Sequence, residues 1–172
     1  FAFGASCVYL EAIFERYQDQ LTESLQIFNS ETLRDAFLAS CGGAYYSRYS
    51  YLASYKKTPD TENDVIAYMK ASHVPVSYDT LKKDLWFIPF DKIKHILATT
   101  KAMVNVAQEA YFYAPNLPIS AEELKAIIEL IHGELLQTSF ISGADLIELI
   151  QRHCPSVVIN TDGFPAWGLR NA

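Results

Sequence analysis

Leu10, Ile13, Phe14, Tyr17 and Leu21 recur at spacings of three and four, and so do Leu124, Ile127, Ile128, Ile131 and Leu135. Each set draws one apolar stripe along a helix of 3.6-residue period. Amphipathic helices are therefore predicted from residue 10 to 21 and from 121 to 135. The tetrapeptides LEAI (10–13) and LKAI (124–127) even share three of four residues. A shorter helix is predicted over TENDVIAYMKA (61–71), with Val65, Tyr68 and Met69 inward.

Three further stretches carry one punctuation: IFNSETLRDAF (27–37), PVSYDTLKKDL (75–85) and FISGADLIELI (140–150). In each, a small polar residue (Asn29, Ser77, Ser142) precedes a leucine four positions on (Leu33, Leu81, Leu146). Asn and Ser suit an N-cap, where the side chain accepts a backbone N–H that has no partner inside the helix. Ser120 with Glu123 has the spacing of a capping box, and Ser142 with Asp145 resembles one. A third helix is expected after each capped one. In the middle it is IPFDKIKHILATT (88–100), burying Phe90, Ile93, Ile96 and Leu97. Earlier it is GGAYYSRYSYLASYKK (42–57), and at the end DGFPAWGLRNA (162–172), starting near Pro165. KAMVNVAQEAYFYAPN (101–116) alternates through Met103, Val104, Asn105 and Val106, turns, and returns through Tyr111, Phe112 and Tyr113, which reads as a two-stranded hairpin. KKTPDTEND (56–64) and APNLPIS (114–120) read as linkers, the second stopped by Pro115 and Pro118.

The expected fold is mainly α, built of repeated three-helix, helix-turn-helix units, the middle one a winged helix with a small β-hairpin. Its units are a degenerate one at 1–58, a winged one at 62–115 and a truncated one at 119–172. Residues 62–114 resemble a winged-helix module, and residues 7–57 and 119–172 resemble partial relatives of it. The resemblance implies a third helix that enters the DNA major groove and a wing that touches the backbone or minor groove. It places Lys92, Lys94 and His95 on the recognition helix.

The chain as a whole carries a net charge of −6, which excludes a uniformly basic surface. Residues 41–101, however, hold nine basic and six acidic side chains. A local basic face neutralises phosphates even on an acidic protein. Lys82, Lys83 and Lys101 are the expected phosphate contacts, with Lys92, Lys94 and His95 toward base edges. AYYSRYSYLASYKK (44–57) combines five tyrosines with Arg48, Lys56 and Lys57 and no acid. Aromatics interleaved with cations stack on unpaired bases or anchor protein interfaces. Tyr45 and Tyr49 are expected to pack by their rings, leaving Tyr46, Arg48, Lys56 and Lys57 as contacts.

Chemistry-bearing motifs are missing from the sequence. It has no CxxC or HExxH spacing, no phosphate-binding glycine loop and no GxSxG elbow. No enzyme activity, metal or cofactor is expected. Three widely spaced cysteines fit a reducing cytoplasm better than a disulfide framework. With no apolar run of membrane length and no basic stretch ahead of FAFGASCVYL, neither a membrane span nor a signal peptide is expected. The start at Phe1 reads as an excised fragment of a longer protein. The expected function is nucleic-acid binding, DNA first, or transcription regulation. The alternative is a protein-interaction module whose acidic flanks attract a basic partner. Oligomeric state does not follow from the sequence.

Overall fold

The computed structural model describes residues 5–41 and 43–160. It divides into two compact units: residues 1–68 with 79–99, and residues 69–78 with 100–172.

The first unit opens with β1 (Cys7–Tyr9), α1 (Leu10–Leu25) and α2 (Ser30–Cys41), then β2 (Tyr45–Arg48) and β3 (Tyr51–Ser54). It also holds most of α3 (Thr61–Ala71) and α4 (Tyr78–Asp84), and all of α5 (Phe90–Thr99). β3 is the central strand, antiparallel to β1 on one side and β2 on the other. Leu52 of β3 packs with Leu10, Leu21, Ile27 and Leu33, and Ile13, Phe14, Phe37 and Leu38 close around them. The stripe of α1 thus faces its own sheet and α2. Asn29 caps α2 by accepting the Thr32 N–H at 2.8 Å. The buried Ser6 ties the chain start to α3: its N–H and hydroxyl both donate to Asp64, at 2.8 and 2.7 Å.

The second unit holds β4 (Val76–Ser77), β5 (Met103–Ala107) and β6 (Ala110–Tyr113), with β6 central and both pairings antiparallel. Val104, Val106 and Phe112 form its sheet core, against Ala114 and Leu117. After a 3-10 turn at Ala114–Asn116 come α6 (Ala121–Leu135), α7 (Gly143–His153) and α8 (Pro155–Asn160). Ile127, Ile150 and Val157 form a separate small core there. Leu124, Ile128 and Leu135 stay exposed, so much of the α6 stripe lies uncovered.

This α+β architecture corrects the expectation of repeated three-helix units. Residues 45–54 pair as strands where a third helix was expected. Tyrosine favours a pleated surface, and Gly43, at φ +78°, lies just past the end of α2 in the conformation that stops helices. The three leucines are not equivalent either. Leu33 belongs to α2 and the first core, Leu81 to α4, and Leu146 is a half-buried residue at the Ile127 core. The expected last helix, 162–172, lies outside the described residues. What recurs is a different order: strand, helix, helix, hairpin. It occurs as β1-α1-α2-β2-β3 and as β4-α4-α5-β5-β6. In both, the first strand joins the last, and the middle strand takes the far edge. Each junction also closes alike. Leu10 N donates to Ser50 O at 2.9 Å, and Tyr78 N donates to Glu109 O at 2.8 Å. In both copies the first helical residue is thereby held to the residue just before the returning strand.

Two predictions follow from local chemistry. The α6 capping box is complete: Ser120 accepts from Glu123 N, and Glu123 accepts from Ser120 N at 2.8 Å. Glu123 also accepts from the Ser156 hydroxyl at 2.9 Å. Ser120→Ala is expected to cost about 1 kcal/mol, read as a lowered urea midpoint for the second unit.

The other concerns alkali. Burial first, and then the Asp84 carboxylate that accepts the Tyr68 hydroxyl at 2.6 Å, push the Tyr68 phenol up to about 12. Burial, then the Tyr111 hydroxyl, push Tyr78 up to about 12. An ordinary phenol ionises near about 10. Folding raises these values, so their stabilising contribution is whole below about pH 10. It is lost as pH climbs from about 10 to 12. Denaturation midpoints should fall across that window, and Tyr68→Phe should make the fall shallower.

Candidate nucleic-acid interface

The β2–β3 hairpin concentrates the cationic surface. Side chains alternate across a strand, and Tyr45 points toward α2, its ring 5.7 Å from Phe37. Tyr46 and Arg48 therefore take the opposite face. Tyr46 pairs across the sheet with Ala53, and its ring lies 4.9 Å from Tyr55. Arg48 pairs with Tyr51, leaving Tyr49 and Ser50 as a two-residue turn. Tyr49 has φ +53°, a left-handed conformation unusual for a bulky residue, and its side chain is 82% exposed. The Arg48 guanidinium lies 5.3 Å from the Tyr49 ring centre. A hydrogen bond to Tyr49 holds the Arg48 pKa above its ordinary value.

Behind this turn, Tyr46, Arg48, Tyr55, Lys56, Lys57, Thr58 and Pro59 line an open concavity of about 430 Å³. No acid lines it. Lys56 is exposed, and Lys57 donates to the Ala5 carbonyl at 3.3 Å. Residues 43–59 carry three cations and no carboxylate. Without these three, the basic and acidic side chains of 41–101 balance, six against six. The local positive excess of the sequence is this hairpin.

The other expected contacts sit in a different environment. Lys82 and Lys83 lie on α4, and Lys92, Lys94 and His95 on α5. Lys94 is paired with Asp91 at 2.7 Å and Lys82 with Asp79 at 3.8 Å. Both ammoniums also approach the Phe90 ring, at 5.2 and 4.6 Å. Lys92 lies 5.4 Å from the Tyr9 ring, and with His95 it lines a cleft that also contains Glu62 and Asp91. Lys83 is exposed beside Asp84. Over 78–99, four lysines meet three aspartates. Lys101 is exposed ahead of β5, in the second unit. The structure thus gathers Tyr46, Arg48, Lys56 and Lys57 on one surface, while two of the four α4 and α5 lysines, Lys82 and Lys94, each face an aspartate on their own helix.

Sequence reasoning missed Tyr49 and Tyr55. Tyr45 packs as expected, but Tyr49 stands in solvent at the turn. Reading YYSR (45–48) as an alternating strand would have put Tyr49 at an apex.

The second unit carries the opposite character. Glu134, Asp145 and Glu148 line a groove of about 350 Å³ with Phe140, Ile141 and Leu149. Phe140 is 75% exposed. Arg152 lies in the groove, paired with Glu148 at 2.6 Å. Among the described residues no three His, Cys, Asp or Glu side chains converge on a metal position. No described helix is long and apolar enough to cross a membrane. Comparison of the chain with protein-family models, curated proteins and solved structures produced no match.

Proposed function

We propose that this protein binds nucleic acid, DNA in the first place, through the sugar–phosphate backbone, and that the β2–β3 hairpin is the principal contact. The observation that carries the reading is a pair of exposed cations, Arg48 on the hairpin and Lys56 just after it, on a concavity that no described acid lines. Guanidinium and ammonium groups displace the counterions condensed on a polyanion, and an adjoining carboxylate would oppose this. The hairpin follows two helices, and the same order returns in β4-α4-α5-β5-β6. On this reading Lys82, Lys83, Lys92, Lys94, His95 and Lys101 are secondary contacts. A phosphate reaching Lys82 or Lys94 meets an aspartate one helical turn away, whose charge opposes it.

Anisotropy titration of a labelled duplex at two salt concentrations tests it. Binding that weakens steeply with salt is the expected result. A folded protein that leaves the duplex free even at low salt contradicts the proposal.

A protein-interaction role is the second reading, and the groove of the second unit favours it. Glu134, Asp145 and Glu148 around the exposed Phe140 fit a segment that places Lys or Arg beside an apolar anchor. Binding of a basic amphipathic peptide that Glu148→Lys abolishes would support this role.

A further inference from the structure

We infer that the concavity behind the β2–β3 turn accepts an unpaired nucleobase, so that the hairpin prefers single-stranded nucleic acid to duplex. This deepens the nucleic-acid reading above and rests on it. A surface for duplex backbone alone needs cations and hydrogen-bond donors, for which a tyrosine hydroxyl serves but its ring face does not. Here three rings lie on or beside the cationic face. Tyr55 is 67% exposed, with Tyr46 braced against it at 4.9 Å and an interplanar angle of 41°. A base laid on Tyr55 therefore meets a ring already supported from behind, and little side-chain freedom is lost on stacking. Lys56 follows Tyr55 directly, and Arg48 shares the face of Tyr46. Phosphates on either side of the stacked base can thus meet a cation. The concavity is open to solvent, so an unpaired base can reach Tyr55, whereas a paired base is covered on both faces by its neighbours.

Tyr49 adds a second platform. A bulky residue in a left-handed conformation costs free energy, and this one gains no burial in return, being 82% exposed. Arg48 lies against its ring, with its guanidinium fixed beside an aromatic face. A second base, further along the same strand, can stack on Tyr49 with its phosphate at Arg48. The chemistry recognised is a run of unpaired bases on a polyanionic backbone. Every base has a stacking face, so little sequence preference is expected.

The test compares a labelled single strand with the duplex of the same sequence, against the natural chain and the variants Tyr55→Ala, Tyr49→Ala, Tyr55→Phe and Tyr49→Phe. The single strand is expected to bind about tenfold or more tightly than the duplex. Each alanine variant should lose roughly 5- to 100-fold toward the single strand and little toward the duplex. The phenylalanine variants keep the ring and should keep the affinity. Both tyrosines are exposed, and circular dichroism verifies that each variant is folded. Equal or tighter duplex binding, with alanine variants unchanged, overturns this inference and leaves backbone binding standing. Failure of both strands to bind at low salt overturns the two together.

Discussion

Reversing charge at Arg48 and Lys56 together is expected to weaken duplex binding about 100-fold or more near physiological salt. A hydrogen bond from a charged donor contributes about 1.5–3 kcal/mol, and each 1.4 kcal/mol is a factor of about ten. Arg48→Glu with Lys56→Glu removes two such contacts and adds repulsion, so this is a lower bound. The logarithmic salt dependence should become shallower by about two. Both side chains are exposed, so stability should move by no more than about 0.5 kcal/mol each. Lys82→Glu with Lys94→Glu is the matched control. These lysines face Asp79 and Asp91, and the expected loss is less than about tenfold. Equal losses from the two pairs would shift the interface to α4 and α5.

Phe112→Ala should have the largest effect on folding. Phe112 is fully buried at the centre of β6, opposite Val104, and fills the sheet core of the second unit with Val106, Ala114 and Leu117. Removing a buried ring costs about 3–5 kcal/mol, part as lost transfer energy and part as the cavity left behind. Small domains are stable by only about 5–15 kcal/mol in total. The second unit should therefore melt far earlier, seen as loss of amide-exchange protection over 103–113. Protection of Leu52 and its neighbours in the first unit should persist at a temperature where that of Val104 has gone. A variant as stable as the parent would mean that the core around Phe112 is not closed.

Much of this structure is written in local chemistry. The stripe at 10–21, the caps at Asn29, Ser120 and Ser142, and the alternation Val104-Asn105-Val106 each specify an element through a few neighbouring residues. What failed was the step from elements to architecture. β1 has three residues and β4 two, too few for a period-two pattern to register. Both exist because a partner strand lies beside them, a fact of tertiary structure. The β2–β3 hairpin reads as a helix from sequence because its turn, Tyr49-Ser50, has none of the Gly, Asn or Asp residues that make hairpins legible. Its tyrosines also mimic a helical stripe, with Tyr45 and Tyr49 four apart and Tyr51 and Tyr55 likewise. The repeated leucines misled for a related reason. A cap followed by an inward leucine describes any capped helix, and says nothing about which helix it is.

The candidate site was half legible. Its composition stood out in AYYSRYSYLASYKK, but the weight fell on α4 and α5, because a charge tally by sequence window ignores pairing. Asp79 and Asp91 lie three residues from Lys82 and Lys94, one helical turn away, and pair with them. No residue in 43–59 does so for Arg48 or Lys56. The distinction between a paired and an unopposed cation needs the fold.

The most direct measurement is an amide chemical-shift titration of the intact chain with a short oligonucleotide. Perturbations concentrated at residues 45–57, saturating with the binding isotherm and sparing 78–99, are the expected outcome. Shifts clustered on 90–99 while Tyr46, Arg48 and Lys56 stay still would contradict the assignment of the hairpin as the nucleic-acid contact.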